Sequence, residues 1–148
     1  GKGITIEQSR YAVSLAHALG IKTSGHFVVG LPGETERSMR KTLAFALELP
    51  LDIAHFYAAA PFPGTRLYDL ASANGWIRTG AVFGQEHAAM DLPGLPGSRV
   101  DEFRRYAYRR FYGRPRVVGK ILSLIEPKGV GHLLRNVGAF QGWKRNQN

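Results

Sequence analysis

Two apolar runs, each broken by glycine and proline and each followed by a helical pattern, constrain this chain more than any other feature. The first is Gly25-His26-Phe27-Val28-Val29, breaking into Gly30-Leu31-Pro32-Gly33-Glu34-Thr35. The second is Ile53-Ala54-His55-Phe56-Tyr57-Ala58-Ala59-Ala60, breaking into Pro61-Phe62-Pro63-Gly64-Thr65. The pattern predicts a strand over 23–29, a helix capped by Thr35 or Glu34, a strand over 52–60 and a short helix capped by Thr65. Met39, Leu43, Ala46 and Leu47 form the apolar stripe of the first helix, which Pro50 stops. Leu67, Leu70 and Ala71 form that of the second, which ends at Asn74-Gly75. Strands joined through a helix run parallel, with a right-handed crossover. Both runs are apolar on both faces, as in a sheet covered on each side. Two strands cannot complete such a sheet, so its remainder is expected from sequence outside this chain or from another copy.

Upstream, Thr5-Ile6-Glu7-Gln8 fits a capping box, and Ala12, Leu15, Ala16 and Leu19 recur at helical spacing before Gly20 supplies a left-handed cap. Downstream, the pattern is lost from Trp76 to Gly97, where Leu92-Pro93-Gly94-Leu95-Pro96-Gly97 reads as a linker. Helical spacing returns at Val100, Phe103, Ala107 and Phe111. Pro115 suits the first turn of another helix carrying Val118, Ile121, Leu122 and Ile125. Val130, Leu133, Leu134 and Val137 suggest a last one. The expected division is 1–75 for the βα units, 76–97 for an irregular linker and 98–148 for a basic helical extension. The 148 residues amount to about one domain, and 44% apolar content suits a packed core. The chain opens at Gly1-Lys2-Gly3, close to a helix start and without an initiator Met, so it reads as a piece of a longer protein.

The formal charge of +9 favours an anionic partner, or serves solubility alone. From Ser98 to Lys128 nine Lys or Arg face three acids, a net of +6. On a helix Arg105, Tyr108, Arg109 and Tyr112 would share a face opposite the apolar stripe. Such a face can grip phosphates and stack bases, can seat on anionic headgroups, or can be solvated and paired with acids outside this chain. The chain has no cysteine, which excludes disulfides, thiol nucleophiles and any iron–sulfur cluster held by its own thiolates. No apolar run approaches the ~20 residues that span a bilayer, and no signal-peptide pattern is present. The expected location is cytoplasmic, with peripheral membrane contact left open. Neither a Ser/His/Asp order, a carboxylate pair, a phosphate loop nor a dinucleotide fingerprint is legible.

The two junctions are where chemistry is expected. Strand C-termini in parallel α/β sheets face the ligand side. Glycines there admit positive φ and close approach, and a helix start turns free N–H groups toward that side. His26, Val28 and Gly30 share a face by strand alternation. His26 is thus a candidate substrate-facing group, weighed against a structural histidine, and His55 occupies the second strand.

Gly25 to Thr35, Pro61 to Ala71 and the opening Gly1 to Ser24 together resemble the C-terminal half of a radical S-adenosylmethionine enzyme core. More closely they resemble its cobalamin-binding subgroup, and Asp101 to Leu122 is similar to that subgroup's helical extension. The resemblance implies an α/β fold, the C-terminal part of a partial (β/α) barrel with two or three parallel strands, followed by a helical tail. It implies S-adenosylmethionine, a 4Fe–4S cluster and cobalamin as cofactors of the whole protein. Val28, Gly30, Leu31 and Pro32 would pack against the adenine, and backbone groups at Tyr57, Ala58 and Ala59 would meet its edge. Glu34 matches an acidic position of the family, and equally suits a helix first turn.

The departures bound the function. The three-cysteine loop, the earlier strands and a cobalamin-binding domain are all absent from this sequence, so no catalytic residue and no metal ligand is assigned. The expected role is a piece of an iron–sulfur oxidoreductase-type enzyme, such as a cobalamin-dependent methyltransferase. It would supply the adenine-side wall and part of the substrate face, and be inactive alone. Its partners would be the missing N-terminal half and a small-molecule or lipid substrate, with self-association through open strand edges. The alternative is a non-catalytic basic module for nucleic acid or an anionic membrane. A radical methylthiotransferase is less favoured, because such proteins usually end in a small β-domain and this tail reads as helical.

Overall fold

A computed structural model describes residues 3–115 and 117–119. Its elements are α1 (Ile6–Ala18), β1 (Ser24–Val29), α2 (Glu36–Glu48), β2 (Ile53–Ala58), α3 (Arg66–Ala73) and α4 (Gly97–Tyr112). All six fall within one compact unit that ends at Tyr112, and a second unit begins at Gly113. In that second unit the Val117 and Val118 N–H groups both donate to the Arg114 carbonyl, each at 2.9 Å, where a helix is expected after Pro115. The helices expected around Ile121, Leu122 and Ile125 and around Val130, Leu133, Leu134 and Val137 lie outside the described residues.

Local signals explain the helix starts. Thr5 accepts from the Gln8 N–H and Gln8 returns the bond to the Thr5 N–H, a complete capping box. Thr35 does the same with Ser38 in place of the usual Glu or Gln. Thr65 caps α3 through the Tyr68 N–H.

β1 and β2 pair in parallel, Ser24 opposite Ile53 through Val29 opposite Ala58. The ladder runs from the Ile53 N–H to the Thr23 carbonyl at 3.2 Å and closes with the Ala59 N–H on the Val29 carbonyl at 2.8 Å. β2 is shorter than the expected 52–60. Asp52 spends its carboxylate on the Thr23 N–H at 2.9 Å, and Ala59 and Ala60 are buried past the strand's end.

The sheet is covered on one face, not on both. Val29, Ala54, Phe56 and Ala58 are buried with Met39, Leu43 and Ala46 of α2 and Val100, Phe103, Ala107 and Phe111 of α4. The opposite face carries Ser24, His26, Val28, Ile53, His55 and Tyr57, all exposed or half-buried. The stretch from 76 to 97 has only isolated bridges, Ile77 with Met90 and Leu92 with Leu95, yet Ala88, Ala89, Met90, Leu92 and Leu95 are buried. Helix α1 buries no residue, and Tyr11, Leu15 and the C-cap Leu19 are exposed. Arg10 ties it to α2, donating to Glu48 at 2.6 Å and lying over the Phe45 ring.

The outer edge of β2 is not open. By the ladder's phase, Ala54, Phe56 and Ala58 turn their backbone groups away from β1. The Ala54 N–H donates to the Tyr112 hydroxyl at 3.3 Å, and that hydroxyl donates to the Ala54 carbonyl at 3.1 Å. The Phe56 N–H donates to the Tyr108 hydroxyl at 3.1 Å, and the Phe56 carbonyl accepts from Arg104 Nε at 2.8 Å. The Ala58 N–H reaches the Gln85 carbonyl at 3.0 Å. Successive turns of α4 thus stand where a third strand would lie.

Candidate functional site

The parallel register sets the two junctions side by side, because the Ala59 N–H bonds the carbonyl of Val29. From β1 the chain enters Gly30 at a φ of 81°. Its missing side chain also makes room for α4: a Cβ there would lie 3.0 Å from Val100 Cγ1. Positive φ and this close approach both select glycine.

Glu34 folds the loop back on itself. One carboxylate oxygen accepts the Gly30 N–H at 2.6 Å and the Leu31 N–H at 3.0 Å. The other accepts the Ser38 hydroxyl at 3.4 Å. Charge-assisted bonds of this kind are stronger than neutral ones, so the loop is held before any ligand arrives.

The candidate wall residues divide by exposure. Val28 is 39% and Leu31 42% exposed, apolar side chains left uncovered at the strand end. Pro32 is half-buried beside them. Gly30, Ala58 and Ala59 are buried. Because the Ala58 and Ala59 N–H groups are already bonded, to Gln85 and Val29, the donors at those positions are committed. What Ala59 can offer a ligand is its carbonyl, which has no hydrogen-bond partner among the described residues, whereas the Ala58 carbonyl turns to the outer edge of β2.

His26 lies on the same open face as Val28, but Gly30, expected there too, is buried with its Cβ direction toward Val100 of α4. His26 is directly opposite His55, and Val28 opposite Tyr57. The His26 and His55 ring centroids are 4.9 Å apart, and the Tyr57 ring lies 5.7 Å from His26 and 5.8 Å from His55. The planes stay within 25° of one another. Among the described residues the only polar contact of the three rings is a 3.4 Å approach of Ser24 Oγ to His26 Nε2. The signal was present as matched His-x-Val and His-x-Tyr spacing on the two strands, but the register that joins them is tertiary.

The basic face expected on α4 is reorganised. Arg105, Arg109 and Arg110 are exposed, whereas Tyr108 and Tyr112 turn to β2 and spend their hydroxyls on its backbone. The tyrosines therefore do not join the arginines in one phosphate-gripping, base-stacking surface. A groove of about 220 Å3 between α2 and α4 is lined by Glu36, Arg40, Arg99, Glu102, Phe103 and Tyr106. Arg99 bridges it, 2.7 Å from Glu36 and 2.8 Å from Glu102. The hydrogen bond and charge of Glu36, then those of Glu102, raise the Arg99 guanidinium above its ordinary value. Among the described residues no helix is long and apolar enough to cross a membrane. None of their His, Asp or Glu side chains gathers in threes as a metal site.

An α/β segment with two parallel strands, whose ends meet at a glycine-rich junction, defines the class of protein. The particular likenesses come from comparison with known proteins. No protein-family model matches the chain. It is 38% identical over 122 residues to an uncharacterized methyltransferase of Pyrococcus horikoshii, covering 81% of this chain and 27% of that protein. It is 28% identical over 138 residues to a tRNA-2-methylthio-N(6)-dimethylallyladenosine synthase of Aromatoleum aromaticum, covering 78% of this chain and 31% of that protein. It is 34% identical over 67 residues to an anaerobic magnesium-protoporphyrin IX monomethyl ester cyclase of Rubrivivax gelatinosus, covering 45% of this chain and 12% of that protein. The chain thus spans under a third of each of these relatives. Their names include methyltransferase and radical S-adenosylmethionine enzymes, and they support a radical S-adenosylmethionine relation at low identity.

Proposed function

We propose that this chain is the C-terminal part of a radical S-adenosylmethionine enzyme core, a partial (β/α) barrel, in a protein that transfers methyl groups. In this reading it supplies the adenine-side wall and part of the substrate face and is silent alone. The observation that carries the proposal is the pair of parallel strands whose ends lie together beside the uncovered side chains of Val28 and Leu31. Those side chains, with Pro32, suit the flat apolar face of an adenine. The carbonyl of Ala59, on the β1 side, suits its exocyclic amine, which needs an acceptor.

The residues fit one cofactor and not the other. A 4Fe–4S cluster needs thiolates, and the sequence has none. Its ligands belong to other sequence of the whole protein. S-adenosylmethionine beside a reduced cluster supplies radical chemistry; this chain's own part is to orient the adenine and to hold water off it. Cobalamin is proposed for the whole protein on the likeness of the tail, with no residue here assigned to it.

The partner proposed for the free edge of β1 is the N-terminal half of the same core. Ser24, His26 and Val28 turn their backbone groups away from β2, and those groups have no hydrogen-bond partner among the described residues. Tyr11 and Leu15 of α1 and its C-cap Leu19 are exposed as well. Self-association is the competing occupant when the partner is withheld.

The test is equilibrium binding of S-adenosylmethionine to this chain and to the cluster-loaded whole protein, each also carrying Leu31→Ser. Tight binding to the whole protein, weakened by Leu31→Ser, with poor binding to the chain alone, is the expected result. Equal affinity for both, or indifference to Leu31→Ser, removes the proposed division of labour.

A further inference from the structure

The open sheet face has chemistry that the cofactor wall does not use. His26, His55 and Tyr57 form a triangle of near-parallel rings with centroids 4.9 to 5.8 Å apart. They sit in the strands below the glycine-rich junction: the His pair lies two residues before Val28 and Tyr57, about 7 Å deeper along the strands. Among the described residues neither ring nitrogen of His55 nor the Tyr57 hydroxyl has a hydrogen-bond partner, and His26 has only the long approach of Ser24 Oγ. Stacking holds the rings in place without using their polar atoms.

We infer that His26, His55 and Tyr57 form a subsite for the phosphoryl or phosphonyl group of a substrate. Each imidazole can donate an N–H and the phenol an O–H, and Ser24 adds a hydroxyl at the edge. None of the six side chains on this face is a carboxylate, so nothing on it repels an oxyanion. The formal charge of +9 points the same way. Three donor-bearing rings set in a triangle suit the three terminal oxygens of a tetrahedral group better than the two oxygens of a planar carboxylate. The rings bind and orient this group; no bond-making step is assigned to them. The inference rests on the function proposed above only in calling the ligand a substrate.

The test is an NMR titration of the chain with inorganic phosphate, methylphosphonate, acetate and chloride at one pH and matched ionic strength, read at the histidine Cε1–H resonances. Phosphate and methylphosphonate should shift His26 and His55 together, with saturation, while His17 and the exposed His87 stay still. Acetate and chloride should do neither. Tyr57→Phe keeps the ring and removes one donor, and should weaken phosphate binding about two- to tenfold. Equal movement of His17 and His87, an acetate response as large as that of phosphate, or unmoved His26 and His55 resonances would each overturn the inference. Because the readout needs no S-adenosylmethionine, its failure leaves the adenine wall standing, and failure of the adenine wall leaves this subsite standing.

Discussion

The Tyr112 hydroxyl bonds both backbone groups of Ala54, accepting its N–H at 3.3 Å and donating to its carbonyl at 3.1 Å. One side chain thereby does for Ala54 what a neighbouring strand would do. Tyr108 and Arg104, one and two turns earlier on α4, do the same for the two groups of Phe56. The consequence is directional: the sheet stops at β2, and only the β1 edge remains for a further strand. An exposed strand edge templates unwanted pairing, so α4 also protects the segment on that side.

Removing the hydroxyl isolates this device from packing. Tyr112→Phe keeps the ring but leaves the Ala54 N–H and carbonyl without their partner. An unsatisfied buried backbone group costs about 1–3 kcal/mol, so a loss of that size is expected in urea unfolding. Tyr106→Phe, on the exposed side of α4, should leave the midpoint nearly unchanged. Equal effects of the two variants would mean that the hydroxyl of Tyr112 contributes nothing particular.

Arg104 should be the most costly residue of the three. Its side chain is 11% exposed; it donates to the Phe56 carbonyl and to the Glu86 carbonyl and lies 3.8 Å from Asp101. Arg104→Met keeps the apolar stem but strands Phe56 and weakens the setting of Asp101, which accepts the Ala88 N–H at 2.9 Å. A loss of about 3 kcal/mol is expected from breaking a largely buried charged network. Arg104→Lys should recover only part of it, since an ammonium cannot reproduce the planar fork. Full recovery by lysine would argue for charge alone.

Much of this architecture was legible in the residues. Thr5 with Gln8, the caps at Thr35 and Thr65, and the stop at Pro50 are local, and local signals survive without knowledge of the fold. The parallel pairing followed from a crossover helix between two strands. Two things were not legible. The tyrosine hydroxyls of α4 find backbone groups 52 and 58 residues away, and a backbone target has no side-chain signature. The triangle of His26, His55 and Tyr57 depends on a register that pairs His26 with His55, and a shift of one residue would send one histidine to the opposite face. The stripe of α1 reads as a core face, yet none of it is buried, because periodicity shows which side is apolar and not what covers it.

Glu34 is expected to act on the loop before it acts on any ligand. Glu34→Ala removes the acceptor of both the Gly30 and Leu31 N–H groups, and a loss of about 1–2 kcal/mol is expected given the partial exposure of the site. Glu34→Gln retains one oxygen of the right geometry and should lose less. Amide exchange separates local from global effects: Gly30 and Leu31 should exchange at least about tenfold faster in Glu34→Ala, beyond the change at core amides. Uniform acceleration across β1 and α2 would instead mark Glu34 as a general stabiliser of the fold.

Gly30 is where the junction and α4 meet, and two independent penalties converge there. An Ala at a φ of 81° sits in the left-handed region, at a cost of about 1–2 kcal/mol. Its Cβ would also press on Val100, 3.0 Å from one methyl and 3.2 Å from the other, and such overpacking costs about 1–3 kcal/mol. Gly30→Ala should therefore destabilise by roughly the sum. Val100→Ala alone opens a cavity at a residue only 2% exposed and should also destabilise. Combined, the two should lose less than the sum of the single losses, because the small side chain at 100 relieves the clash and leaves only the φ penalty at 30. A double-mutant cycle by urea unfolding measures that coupling. Strict additivity would show that Gly30 is selected by backbone conformation alone, and that its closeness to α4 is incidental.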